Sequence, residues 1–236
     1  MIKRNLFFIF SLFVGIQLFA QKEQVEYLPT VDKVKFHFGF YLGVNQNDFK
    51  LNLRESPIEN ANITVESTAG FNVGLIADLR LHKNLNLRLE PGLASNSKRI
   101  LFNHLTNSTT PRDSIREIGS TYLHVPLLLK FSTDRYRNIR PYLIGGVSYD
   151  YNFSSNERNQ DDNAAGQFRM QTHNFMYEVG IGVEFYLYYF KFSPSIRGIF
   201  AMNNEIKYDD DPNSRWTAPI NFMGTRGIFL NFAFEN

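Results

Sequence analysis

The chain has 236 residues, with 25 Lys and Arg against 23 Asp and Glu, and no Cys. Without Cys it can form neither disulfides nor thiolate metal sites. Its formal charge of +2 is matched by Lys3 and Arg4 alone, which leaves no basic field to draw nucleic acid, and a mean hydropathy of −0.28 is too polar for a bundle of membrane helices.

Lys3 and Arg4 precede an apolar run over 6–20 that closes on Leu18-Phe19-Ala20. A basic start, an apolar middle and a small final residue predict a cleavable secretory signal over residues 1–20. The run is near the minimum for a spanning helix and no second one follows, which disfavours a helical anchor. No Cys follows it to carry a lipid. Residues 21–33 then read as a periplasmic N-terminal segment, and 34–236 as one domain.

That domain alternates apolar and polar residues in long stretches. In the first, Val34, Phe36, Phe38, Phe40, Leu42 and Val44 share one parity, and Lys35, His37, Gly39, Tyr41, Gly43 and Asn45 the other. Strand side chains alternate between faces, so one face is apolar and one is not. Strand two is predicted over 69–81, with Phe71, Val73, Leu75 and Leu79 outward and Asp78 and Arg80 inward. Strand three, over 85–100, sets Leu85, Leu87, Leu89, Pro91 and Leu93 outward and Arg88 and Glu90 inward. Strand four, over 118–131, opposes Leu123, Val125, Leu127, Leu129 and Phe131 to Tyr122, His124 and Lys130. Strand five, from 141, has Leu143, Val147, Tyr149 and Tyr151 outward. Strand six has Tyr177, Val179, Ile181, Val183 and Phe185 outward and Glu178 and Glu184 inward. Strand seven has Phe192, Ile196 and Phe200 outward and Lys191, Ser193, Ser195 and Arg197 inward. Strand eight closes the chain with Ile228, Leu230, Phe232 and Phe234 outward.

These stretches match the roughly 9–11 residues a tilted strand needs to cross a bilayer. The connections alternate: 82–84, 132–140 and 187–188 are short, while 46–67, 103–117, 154–172 and 203–218 are long and polar. Short periplasmic turns and long outer loops predict an all-β fold, an eight-stranded antiparallel outer-membrane barrel with both termini periplasmic. Its partners would include outer-membrane lipids and lipopolysaccharide. Phe185, Tyr186, Tyr188, Tyr189 and Phe190 would form one interfacial girdle, and Tyr149, Tyr151, Phe153 and Tyr177 the other. Arg226 is a misfit, since the register of strand eight puts it on the lipid face. A bulge within 224–227 that resets parity is the favoured resolution.

The inward charges must be paired if they are buried. A two-residue turn at Leu187-Tyr188 sets Glu184 opposite Lys191 and Glu178 opposite Arg197. A three-residue loop, His82 to Asn84, sets Asp78 opposite Arg88 and Glu90 diagonal to Arg80. With Lys130 these residues predict a charge-paired plug, since side chains can fill an eight-stranded interior. His37, His124, Ser193 and Ser195 also face inward, so a Ser–His arrangement is conceivable. No nucleophile-elbow motif accompanies it, and the chain does not read as an enzyme. No cofactor is implied. Asp209-Asp210-Asp211 with Asn213 offers oxygen ligands for Ca²⁺ but lacks a known loop spacing, and reads as a solvated acidic loop. Asp113-Ser114-Ile115 resembles the Asp-Ser/Thr-aliphatic sequon for O-glycosylation in Bacteroidetes, which makes Ser114 a candidate modification site.

Four segments carry a family resemblance: Leu87-Arg88-Leu89-Glu90-Pro91-Gly92-Leu93, Tyr122-Leu123-His124-Val125-Pro126-Leu127-Leu128-Leu129-Lys130, Arg140-Pro141-Tyr142-Leu143-Ile144-Gly145-Gly146-Val147 and Glu178-Val179-Gly180-Ile181-Gly182-Val183-Glu184-Phe185. They resemble the PorT-type outer-membrane barrels of Bacteroidetes, over about 34–234. Ser148-Tyr149-Asp150-Tyr151 looks more like PorT proper than like the wider group. The resemblance implies an accessory component of the type IX secretion system, which exports cargo proteins and supports motility in gliding species. Its partners would be other type IX subunits. An adhesin or surface-ligand binder acting through the long loops is the alternative.

Overall fold

The computed structural model describes residues 25–54, 62–105, 114–159 and 168–236. The predicted signal over 1–20 and Asp113 of the sequon lie outside the described residues. Ten strands follow in chain order: β1 (Phe36–Leu53), β2 (Ile63–Ser67), β3 (Ala69–His82), β4 (Leu85–Leu89), β5 (Gly92–Phe102), β6 (Ile115–Ser132), β7 (Ile139–Asn152), β8 (His173–Tyr186), β9 (Lys191–Ala201) and β10 (Ile220–Glu235). Every pairing is antiparallel, and β1 bonds to both β3 and β10, so the sheet closes into a ring. The ring has eight staves, two of which are interrupted.

β2 and β3 form one stave. Its register against β5 slips by one residue at Thr68, between Ser67↔Lys98 and Phe71↔Ser95. The slip is a bulge that flips the inward parity, so Ile63 and Val65 point to the interior above it and Asn72 and Asp78 below. β4 and β5 form the next stave, which was expected to be continuous. It breaks at Pro91, which has no N–H to give to a ladder. The register on either side is unchanged, and Leu75 still donates to the Pro91 carbonyl at 2.9 Å. Gly92 has to be glycine: a Cβ there would lie 2.3 Å from the Tyr41 hydroxyl and 2.5 Å from the Val73 carbonyl oxygen.

Two turns differ from expectation. Between β3 and β4 only Lys83 and Asn84 lie outside the strands, and the odd residue sits as an irregularity between Arg80 and His82. Between β8 and β9 the turn takes four residues, Leu187 to Phe190, not two. Lys191 therefore registers with Tyr186, and Arg197 with Gly180. The long connections also differ. β1 runs on to Leu53, well past the expected start of a loop at Gln46, and β6 begins at Ile115. The strands reach beyond the apolar band.

Outward positions on every stave are large, apolar and exposed, among them Phe38, Leu75, Leu93, Leu129, Leu143, Ile181, Ile196 and Ile228. A contiguous apolar belt of this kind has no place in water and marks the lipid-facing surface. Aromatic pairs flank it, such as Tyr177–Phe200 at 5.1 Å and Tyr151–Phe153 at 5.1 Å at one end, and Phe192–Phe234 at 5.3 Å at the other. Tyr186 leaves the girdle predicted for it: it is buried, with its hydroxyl on Asp32 at 2.8 Å.

The favoured bulge in β10 is absent. The register with β1 is unbroken from Gly39↔Glu235 to Asn52↔Phe222. Arg226 stays on the outer face, where it pairs with Asp48 at 3.0 Å, its partner in register.

The interior is layered. At the end with short turns it is charged. At the other end it is apolar, against the expectation of a polar lumen throughout. There, inward strand residues Phe49, Ile100, Phe102, Ile118 and Met223 pack against Phe168, Met170 and Ile206, which the long connections fold back into the mouth. A bridge from Met170 to Ile206 ties those two connections together.

Candidate functional site: the filled lumen

The charged layer is built by inward positions on β3, β4 and β6 to β10, fixed by the two-residue alternation of each strand, and by Glu90 at the break before Pro91. At its centre Arg88 donates to Asp78 at 2.8 Å and to Glu235 at 2.7 Å, and lies 3.3 Å from Glu90. Lys130 reaches both Asp78 and Glu184 at 2.8 Å. Lys191 joins Glu184 at 3.3 Å and Glu235 at 3.1 Å. Arg197 donates to Glu90 at 2.5 Å and to Glu178 at 3.4 Å. His124 completes the series, with Nδ1 2.9 Å from Asp150 and Nε2 3.1 Å from Glu178. All of these side chains are buried. Charges in such a place persist only when compensated, and here each has at least one opposite partner.

Glu178–Arg197 and Glu184–Lys191 meet diagonally, because the four-residue turn displaces the register by two positions. Side chains this long span a diagonal. Asp78 and Arg88 are directly opposite. Arg80 and Glu90 are not brought together. Arg80 sits near the turn and donates weakly to the His82 carbonyl at 3.4 Å, while Glu90 belongs to Arg197 and Arg88. The register explains it: Asp78↔Arg88 places Glu90 beyond Asp78, on the side away from Arg80.

Glu235 and Asp150 were missed in the sequence. Both lie on inward parity, Glu235 one residue from the chain end and Asp150 at the far end of strand five, so extending the alternation would have found them. Asp32 was missed without any such signal. It follows from a short turn, Val31–Lys33, that lays the N-terminal segment across the barrel's turn end. Its carboxylate accepts from Tyr186 at 2.8 Å and from Arg140 at 3.1 Å. Asn138 fastens the same segment, donating to the Val25 carbonyl and accepting from the Tyr27 N–H, both at 2.9 Å. The exposed Asp134 beside it takes hydrogen bonds from Lys83 and Asn84, which hold its carboxyl below the usual range.

At the loop end, Glu205 accepts from the Thr225 backbone N–H at 2.7 Å and its hydroxyl at 2.8 Å. Lys98 donates to the same hydroxyl at 3.3 Å and lies 3.8 Å above the Phe49 ring. Burial pushes the Glu205 carboxyl upward, with Lys98 pulling against it.

The Ser–His arrangement does not assemble among the described residues. His124 Nδ1 is hydrogen-bonded to Asp150 and its Nε2 faces Glu178 at 3.1 Å, and His37 Nδ1 bonds the Asn236 carbonyl at 3.0 Å. Ser193 and Ser195 are buried without a histidine partner. In the acidic loop, Asp209 accepts from Thr217 at 3.0 Å and from Ser214, and Asp211 accepts from the Asn213 N–H at 2.9 Å. These carboxylates shape a turn. Ser114 is half-buried just before β6.

Residues 19–207 match the outer membrane protein beta-barrel domain family. No curated protein matches the chain. Among solved structures, neisserial surface protein A is similar at 12% identity, with 84% of this chain and 95% of that one covered and a TM-score of 0.45. Ail, the attachment invasion locus protein of Yersinia pestis, in complex with the heparin analogue sucrose octasulfate, gives 12%, 86%, 100% and 0.41 for the same measures. The outer membrane enzyme PagL gives 11%, 81%, 97% and 0.37.

Proposed function

The chain belongs to the outer membrane protein β-barrel domain family, and from that premise we propose that it is an accessory component of type IX protein secretion, a scaffold or assembly factor and not the conduit. The observation that carries the scaffold role is the filled interior: ion pairs close one half and an apolar cap the other. A barrel of this width and filling has no room for a protein cargo. The secretion role rests on the PorT-like segments, of which Glu90, His124, Lys130, Arg140, Glu178 and Glu184 all take part in the lumen network or its rim. In this reading the turn end and both termini face the periplasm, the signal is removed after Ala20, and Ser114 on the loop side is open to O-glycosylation. The partners are outer-membrane lipids, lipopolysaccharide and other secretion subunits.

Deleting the gene and measuring secreted type IX cargo tests the role. Export should stop while detergent and antibiotic resistance of the outer membrane stay normal. Normal export in the deletion strain would overturn it and leave the adhesin or surface-ligand reading.

A further inference from the structure

On β10 the lipid-facing series Phe234, Phe232, Leu230 and Ile228 continues on the same face to Arg226. Nine residue steps lead from Arg226 to Glu235 at the turn end. At about 3.3 Å per residue and a tilt of about 35–45°, that is a height of about 21–24 Å, near the top of a barrel's apolar band of about 25 Å. Arg226 thus stands where hydrocarbon gives way to headgroups. Its side chain is 55% exposed.

Next to it the outer wall has a notch of about 420 Å³, lined by Ile228, Phe200 and Gly198, with Gln46 and Asp48 on its rim. Gly198 registers with Ile228, and the Phe200 ring leans over it, 3.1 Å from where a Cβ would stand, so the notch lies against Ile228 and the edge of Phe200. Among the described residues the Arg226 guanidinium has one carboxylate partner, Asp48, reached through Nη2. Asp48 is itself held by the Phe49 N–H at 2.7 Å. A guanidinium carries five N–H donors in a planar fork, so a phosphate can still be taken by two of them.

We propose that Arg226 and the Gly198 notch form a binding site for one phosphate-bearing membrane lipid, with the phosphate on Arg226 and an acyl chain in the notch. The site has both halves such a ligand needs, a cation at headgroup height and an apolar slot below it. It does not depend on the role in secretion.

The test is native mass spectrometry of the full barrel in dodecyl maltoside, titrated with monophosphoryl lipid A. The wild type should retain one lipid. Arg226→Gln should bind about tenfold more weakly, as expected for loss of a charge-assisted pair of hydrogen bonds. Gly198→Leu, which pushes the Phe200 ring and a leucine into the notch and keeps the charge, should also lose the lipid. Fully dephosphorylated lipid A should bind the wild type no better than the phosphorylated form binds Arg226→Gln, an arm that needs no variant to fold. Heat-modifiability gels check that both variants are folded. Equal retention by either folded variant, or equal retention of the dephosphorylated lipid, overturns the site.

Discussion

Arg197 stands between two carboxylates, Glu90 at 2.5 Å and Glu178 at 3.4 Å, and the difference has energetic consequences. Removing Arg197 leaves both acids short of a partner. Removing Glu178 takes away the more distant of Arg197's two acids, and His124 keeps Asp150. Breaking a buried pair costs about 3–5 kcal/mol because the remaining charge is uncompensated. Arg197→Met should therefore destabilise the barrel by about that much, and Glu178→Gln by less. The Glu178→Gln/Arg197→Met double mutant should recover only part of the loss, because Glu90 remains charged. Adding Glu90→Gln should recover most of the rest. Urea unfolding followed by heat-modifiability gels measures the cycle. Full recovery in the double mutant would show that Glu90 does not share Arg197. At this scale the inward charges were legible from parity alone. Asp78 does meet Arg88, Glu178 meets Arg197 and Glu184 meets Lys191, but the second partner each group shares was not legible, because it comes from strands that are distant in sequence and from a turn two residues longer than expected.

At the scale of elements, the alternation located all eight staves, and the turns decided how they meet. His82 and Leu187-Tyr188 show the limit. A loop's length in sequence does not reveal whether an odd residue sits in the turn or as a bulge in the strand. Thr68 is the stronger case: one extra residue there reverses which face of the stave is buried, and so brings Ile63 and Val65 into the apolar cap. The unequal connections also carry a testable orientation. A cysteine at Asn213, exposed in the long β9–β10 connection, should react with a membrane-impermeant maleimide on intact cells. One at Lys83, in the β3–β4 turn, should react only after the outer membrane is opened. The reverse pattern would invert the barrel.

For the whole molecule, the two interior layers act together. The charged layer is closed at the turn end by Asp32 on Arg140 and Tyr186, and the apolar layer is closed by the two long connections. Purified protein in planar bilayers should accordingly show no stable, large ohmic conductance. Removing residues 25–33 should not create one, since the ion pairs behind that segment remain. A reproducible large channel in the intact protein would mean that the interior opens in a membrane, and would revive a conducting role.

The number of staves, the lipid-facing side of the eight predicted strands and the sign of each lumen charge were determined by the sequence itself. All follow from local geometry, a side-chain period of two and the length needed to cross a bilayer. Only the tertiary structure decided which charges share a partner, that Asp32 closes the turn end, that Arg226 stays outward without a bulge, and that loop residues Phe168, Met170 and Ile206 turn the upper lumen apolar. The reason is physical. These features depend on the register between strands and on chain returning from a distance, and periodicity within one strand is blind to both.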